Sequence, residues 1–224
     1  MYRTFADVVT KGDLDSQAKQ AGERPLTPPV EGGKPYNDVV ERSPAQAEYM
    51  QKIIHRMEHL PSDPRIDNPL KVTNDARKAG LDFRLIAPEA DDYSGSKINA
   101  AVERIYKIWR DTTADKGTQL VFCDLSTPKG TVELTEMNGV WTASEFQNVY
   151  DDLKLKLLNM GIPAEEIAYI HEAGTEAKKK ELFAKVRSGQ VRILMGSTAK
   201  MGAGTNVQDR LVALHDLDCR ATRS

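Results

Sequence analysis

Cysteine is scarce: the 224-residue chain holds only Cys123 and Cys219. Two thiols, one of them inside an apolar run, make a disulfide framework implausible, and a reducing cytoplasm is the simplest setting. No apolar run approaches the roughly 18 residues that a membrane span needs. The start, MYRTFADVVTKGDLD, lacks an apolar stretch flanked by basic residues, so it does not read as a secretion signal. A basic excess is also lacking: 31 Lys and Arg stand against 33 Asp and Glu, a net charge of −2. Proteins that grip DNA through phosphates mostly carry a positive surplus. Any nucleic-acid role must therefore rest on local motifs. What remains is 40% hydrophobic and 29% charged residues, enough for a core under a large solvated surface.

Three segments differ in character. Residues 1–42 cluster Pro25, Pro28, Pro29, Gly32, Gly33 and Pro35 without a sustained period, and read as an extended lead-in. Residues 43–115 read as a helical segment. Ser43-Pro44-Ala45-Gln46 has the form of a capping box with proline at the first helical position. The apolar residues Ala47, Met50, Ile53, Ile54, Met57 and Leu60 then follow helical spacing up to Pro61. A short helix is expected near 74–79, and an amphipathic one after Ser96 carrying Ile98, Val102, Ile105, Ile108 and Trp109.

From residue 116 to 224 strands and helices alternate. Strands are expected at 119–123, 167–171, 191–195 and 211–215, with helices over 144–160 and 175–187. Gly161 would close the first of these helices as a left-handed cap. Short links between alternating elements predict right-handed crossovers and a mainly parallel sheet, hence an α/β fold. The stretch 125–142 shows no clear period and reads as a long loop.

The densest signal is Met195-Gly-Ser-Thr-Ala-Lys-Met-Gly-Ala-Gly-Thr-Asn-Val-Gln-Asp209, directly after a buried strand. Gly202 and Gly204 would let amides approach a phosphate, and the hydroxyls of Ser197 and Thr198 could donate to its oxygens. Open α/β sheets bind ligands beyond the carboxyl ends of their strands. A turn that uses glycine for geometry alone explains the same residues equally well. Val207 stands where a dinucleotide fingerprint would place its third glycine.

The same stretch, Ser-Thr followed by Gly-Ala-Gly-Thr-Asn, resembles motif V of the chromatin-remodelling-type branch of superfamily 2 helicases. Gln119-Leu-Val-Phe-Cys-Asp124 resembles the strand of motif IV, and Ile170-His-Glu-Ala-Gly-Thr175 through Phe183 the strand, turn and helix between the two. STAKMGAGTNVQDRLVALHDLD is closest to large plasmid and phage proteins that join a helicase to an N-6 adenine DNA methylase. The resemblance spans roughly 43–218. It implies a RecA-like three-layer domain of the P-loop NTPase fold, the C-terminal lobe of an ATP-dependent DNA helicase or translocase on a mobile element.

By that resemblance Gly202, Gly204, Thr205, Asn206 and Asp209 would face the nucleotide, while Asp124, Thr175, Ser197, Thr198 and Lys200 would line the nucleic-acid track. ATP and Mg²⁺ would bind only with the N-terminal RecA-like lobe, and a methylase domain could share the polypeptide. The chain has no G-x-x-x-x-G-K-[ST] loop and no suitably placed Asp-Glu pair, so it lacks the lysine and metal partners of a triphosphate. Motif VI would be expected soon after Asp218, where the sequence instead reads Cys219-Arg-Ala-Thr-Arg-Ser224, and Arg220 and Arg223 are poor substitutes for its arginines. The expectation is a lobe that is inactive alone, binds DNA weakly and has no membrane partner. The rival is a Rossmann-type domain for a nucleotide cofactor or methyl donor. Asp124 fits that loosely, but no glycine cluster precedes it. A plain interaction module is the third reading.

The remaining candidates are bland. His55-Arg-Met-Glu-His59 spells an inverted zinc-protease pattern, which arises easily by chance on a polar helix face, and no metal site is expected. His171 and His215 read as capping or core-edge residues and Cys123 as a small core residue. Lys178-Lys179-Lys180 reads as a solvated helix face, with phosphate contact the alternative. Trp109 reads as core. Trp141 reads as surface packing, with base stacking the alternative.

Overall fold

A computed structural model describes residues 11–22, 30–128, 133–201 and 205–218. The chain divides into two compact units, Met1–Val39 and Val40–Ser224. In the first, the stretch read as extended contains a helix, α1 (Lys11–Gln20). Its ten residues hold no proline, and Asp13 in the first turn and Lys19 in the last complement the helix dipole.

The second unit opens on three helices: α2 (Pro44–Glu58), α3 (Pro69–Leu81) and α4 (Lys97–Asp111). Each begins at a side-chain cap. Ser43 accepts the Gln46 amide at 3.1 Å, Asn68 that of Lys71 at 3.0 Å, and Ser96 that of Asn99 at 3.1 Å. Only half of the expected capping box forms, because the Gln46 side-chain amide donates to the Ala79 carbonyl of α3. The α3 helix runs well beyond 74–79. Asn68-Pro69 repeats the cap-plus-proline start of Ser43-Pro44, so this proline begins the helix.

The sheet has four parallel strands in the order β4-β5-β1-β6: β1 (Thr118–Phe122), β4 (Ile167–Tyr169), β5 (Ile193–Gly196) and β6 (Leu211–Asp216). Alternate residues divide the core. Val121, Cys123, Ile167, Tyr169, Ile193 and Met195 pack with α4 and α5 (Val149–Asn159), through Ile98, Val102, Ile105, Leu153 and Leu157. Leu120, Leu194 and Ile170 pack on the other face with α6 (Glu176–Ser188) and α7 (Thr198–Met201), through Val186 and Met201. Helix, sheet and helix form the three layers of a RecA-like α/β domain.

Two boundaries moved for local reasons. α5 starts at Val149 rather than near 144, because Asn148 is its cap and accepts the Asp151 amide at 3.0 Å. Inside the expected 125–142 loop lies a hairpin, β2 (Thr135–Met137) and β3 (Val140–Thr142). Asn138 and Gly139 both take positive φ, 54° and 79°, as a tight two-residue hairpin turn requires. Gly161 has φ 94° just past α5, the left-handed position read from the sequence.

Candidate functional site at the carboxyl edge of the sheet

The carboxyl ends of β1, β5 and β6 are tied together by two aspartates. The Asp218 carboxylate, just past β6, accepts the Asp124 amide at 2.8 and 2.9 Å and also the Leu125 amide. Asp124, just past β1, turns its Oδ1 to the Thr198 amide beyond β5, which donates at 2.8 Å. Neighbouring strand ends are joined further by the Cys123 amide donating to the Gly196 carbonyl (3.1 Å) and the Leu217 amide to that of Phe122 (3.0 Å). The sequence reading missed Asp218. Its available signal was an acidic residue placed just after an apolar strand, the position from which a side chain reaches a neighbouring strand's loop.

Electrostatics at this edge follow from burial. Burial raises the Asp218 carboxyl above the ordinary carboxylate range, with the charge of Asp124 adding to it against the two donated amides. Lys97 Nζ lies over the same spot, donating to the Leu217 carbonyl at 3.3 Å, and burial lowers its pKa although Asp218 pulls the other way. The Cys123 thiol, 4.0 Å from Asp218, is pushed up to about 12, chiefly by burial, which leaves it an inert core residue. Asp218→Ala would leave the amides of Asp124 and Leu125 without their acceptor. We expect a loss of about 1–3 kcal/mol in urea unfolding, and no change would contradict the assigned bonds. Because its folded pKa is raised, Asp218 favours folding at acid pH, and that share fades as pH rises through the folded value.

The glycine-rich turn begins in a crowded place. A Cβ on Gly196 would stand 2.3 Å from Ile170 Cγ2 and 2.8 Å from the Met201 side chain, so only glycine fits there. Ser197 is buried, whereas Thr198 and Lys200 are exposed. Thr205 Oγ1 is buried and finds no hydrogen-bond partner among the described residues. Asn206 and Asp209 are exposed, and the Asn206 carbonyl accepts from Arg187 Nη1 at 2.9 Å, fastening the turn to α6. Gly202 and Gly204 lie outside the described residues, as do Arg220 and Arg223. Thr175 is exposed as the cap of α6, its hydroxyl oxygen accepting the Lys178 amide at 3.3 Å.

His171 faces the same edge from the end of β4. Its Nε2 is buried without a hydrogen-bond partner among the described residues, and burial followed by nearby Lys200 lowers its pKa. The ring meets Tyr150 edge-on at 5.5 Å, and the Tyr150 hydroxyl donates to the Cys123 carbonyl. His171 is thus a core-edge histidine beside Tyr150 whose pKa burial lowers.

The other candidates settle into packing. On α6, Lys179 pairs with Glu176 at 2.8 Å and Lys185 with Glu181 at 2.7 Å, the usual neutralisation of a solvated face. His55 and His59 stack at 4.2 Å, and among the described residues no group of three or more His, Cys, Asp or Glu is placed to hold a metal ion. Trp141 packs against the α4–α5 core, its amide donating to Asn159 Oδ1 at 2.8 Å. Trp109 is part-buried against that core and donates from its indole to Glu166. No helix among the described residues is long and apolar enough to cross a membrane.

The fold and this edge define a class: a three-layer α/β domain of RecA-like form whose polar turns gather at the carboxyl ends of parallel strands. Compared with models of known protein families, with curated proteins and with solved structures, the chain matches none.

Proposed function

We propose that this chain is the C-terminal RecA-like lobe of a superfamily 2 ATP-dependent DNA helicase or translocase, supplying half of an ATP cleft and half of a DNA track. The observation that carries the reading is the tie between strand ends. Asp124 holds the Thr198 amide, so the turn after β5 stands fixed with Thr198 and Lys200 at the surface. That is where open parallel sheets bind ligands. Thr198 and Lys200 contact the phosphate backbone of the tracking strand. Asp124 is a positioning residue, since a carboxylate would repel phosphate directly. The buried Thr205 hydroxyl, with Asn206 and Asp209 beyond it, faces the nucleotide. The sequence carries no G-x-x-x-x-G-K-[ST] loop, so in this reading hydrolysis draws on a second lobe.

Fluorescence anisotropy with a short labelled DNA tests this. Binding should be weak, and log K should fall linearly with log salt, by roughly 0.7–0.9 for each phosphate neutralised. Lys200→Ala should reduce that slope by about one contact and weaken binding several-fold across sequences. The purified chain should not hydrolyse ATP. Absent DNA binding at low salt, an unchanged slope in Lys200→Ala, or ATP turnover above a Ser197→Ala/Thr198→Ala control would each overturn the reading.

A further inference from the structure

We propose that Asp218 is a positioning residue for the DNA-contacting turn after β5, acting on Thr198 through Asp124. The role rests on the DNA-track reading of Thr198 and Lys200 and adds to it a residue from a third strand. The amides of Asp124 and Leu125 both donate to the Asp218 carboxylate. Those two amides belong to the peptide planes on either side of the Asp124 Cα. A residue has only two soft backbone dihedrals, so holding both planes fixes φ and ψ at Asp124. The direction of its Cα–Cβ bond is fixed with them. That direction decides whether Asp124 Oδ1 meets the Thr198 amide, as it does at 2.8 Å.

Asp218 is itself carried on a held backbone. Leu217 before it is buried, its amide donates to the Phe122 carbonyl at 3.0 Å, and its carbonyl accepts from Lys97 Nζ of α4 at 3.3 Å. Consecutive bonds thus join α4, β6, β1 and the turn after β5. Hydrogen bonds from backbone amides to a carboxylate are about twice as strong as neutral ones, which suits a fixing role. Both carboxylates would repel phosphate, so what they contribute to binding is geometry. A turn already held in place gives up less freedom when Thr198 and Lys200 meet the backbone of DNA. Charge and geometry therefore predict opposite signs for the loss of Asp218. Removing an anion beside a polyanion tightens binding by charge alone, whereas loosening the turn weakens it.

Fluorescence anisotropy of the full chain with a short labelled DNA reads the sign. Asp218→Ala should weaken binding about three- to tenfold. The salt slope should not change, because no cation is lost. Asp218→Asn removes the same charge but keeps one acceptor oxygen where two stood, and should fall between Asp218→Ala and the unaltered chain. Asp216→Ala, which removes an exposed anion two residues earlier, should bind at least as tightly as the unaltered chain. Without DNA, the Thr198 amide should exchange its hydrogen faster in both Asp218 variants, relative to the Gln119 amide. That amide donates to the Arg192 carbonyl at 2.7 Å inside the sheet and reports the fold as a whole. If Asp218→Ala does not fold, Asp218→Asn carries both comparisons with the unaltered chain. Three results would each overturn the role while leaving the DNA track standing: equal binding by the two Asp218 variants, binding by either as tight as the unaltered chain's or tighter, or unaccelerated Thr198 exchange. An unaltered chain that does not bind DNA removes the track and the role together.

Discussion

Replacing Arg84 with alanine is expected to lower the unfolding free energy by about 3–5 kcal/mol, the usual cost of stripping one partner from a buried ion network. Arg84 is almost fully buried and donates to Asp82 at 2.7 Å and to Asp152 at 2.8 Å. Burial works against its charge, yet the bonds to Asp82 and Asp152 raise its pKa on balance. Lys156 extends the network, 2.8 Å from both Asp152 and Asp92, and the Phe146 ring lies 4.2 Å beneath the guanidinium. This cluster fastens the turn after α3 to α5. Removing the cation leaves Asp82, whose side chain is 3% exposed, with the residue-84 backbone amide and Asp152, at 10%, with Lys156 alone. Urea unfolding at neutral pH measures the loss, and a change below about 1 kcal/mol would show that the carboxylates find other partners. Arg84→Lys should recover part of the loss only, since an ammonium cannot serve both carboxylates with the geometry of a planar fork.

Acidification from pH 6.5 to 4 should cost the fold about 3 kcal/mol through His215 alone. Burial, helped by the charge of Arg104, holds this imidazole down to about 4 from its ordinary 6.5. The unfolded chain therefore takes up the proton first as pH falls. The contribution is complete above 6.5 and drains away on the way to 4. Its hydrogen bond fixes which nitrogen carries the proton of the neutral ring. Gln119 Nε2 is committed to the Ile105 carbonyl at 3.0 Å, so Gln119 Oε1, 2.9 Å from His215 Nε2, must accept. A proton on Nδ1 as well would bury an unpaired charge. Comparing chemical denaturation at pH 7 and pH 5, His215→Gln should flatten the dependence markedly. An identical pH slope in the variant would remove His215 as its source.

Much of the fold was legible because it depends on short-range rules. The caps Ser43 and Ser96, the left-handed Gly161 and the apolar strand runs are each decided within a few residues. The errors have the same local scale. The helix expected near 74–79 starts earlier, at the Asn68-Pro69 cap, and Asn138-Gly139 was passed over as loop although that dipeptide is a strong hairpin signal. α1 was obscured by the prolines that follow it. The candidate site was legible in one strand's turn, Ser197 to Lys200 and Thr205 to Asp209, and illegible across strands. Asp218 meets Asp124 and Leu125 over more than ninety residues of sequence, and no spacing rule reports such a meeting.

By itself the sequence determined the alternation of strands and helices, the parallel α/β class, and the absence of a phosphate-loop lysine. These follow from hydrophobic period, chain-local capping and residue identity. Tertiary structure alone decided which strands are neighbours. The order β4-β5-β1-β6 brings Asp124, Thr198 and Asp218 to one edge. The reason is physical: pairing order is set by how the two apolar faces of a whole sheet are covered, a sum over the molecule that no single segment carries.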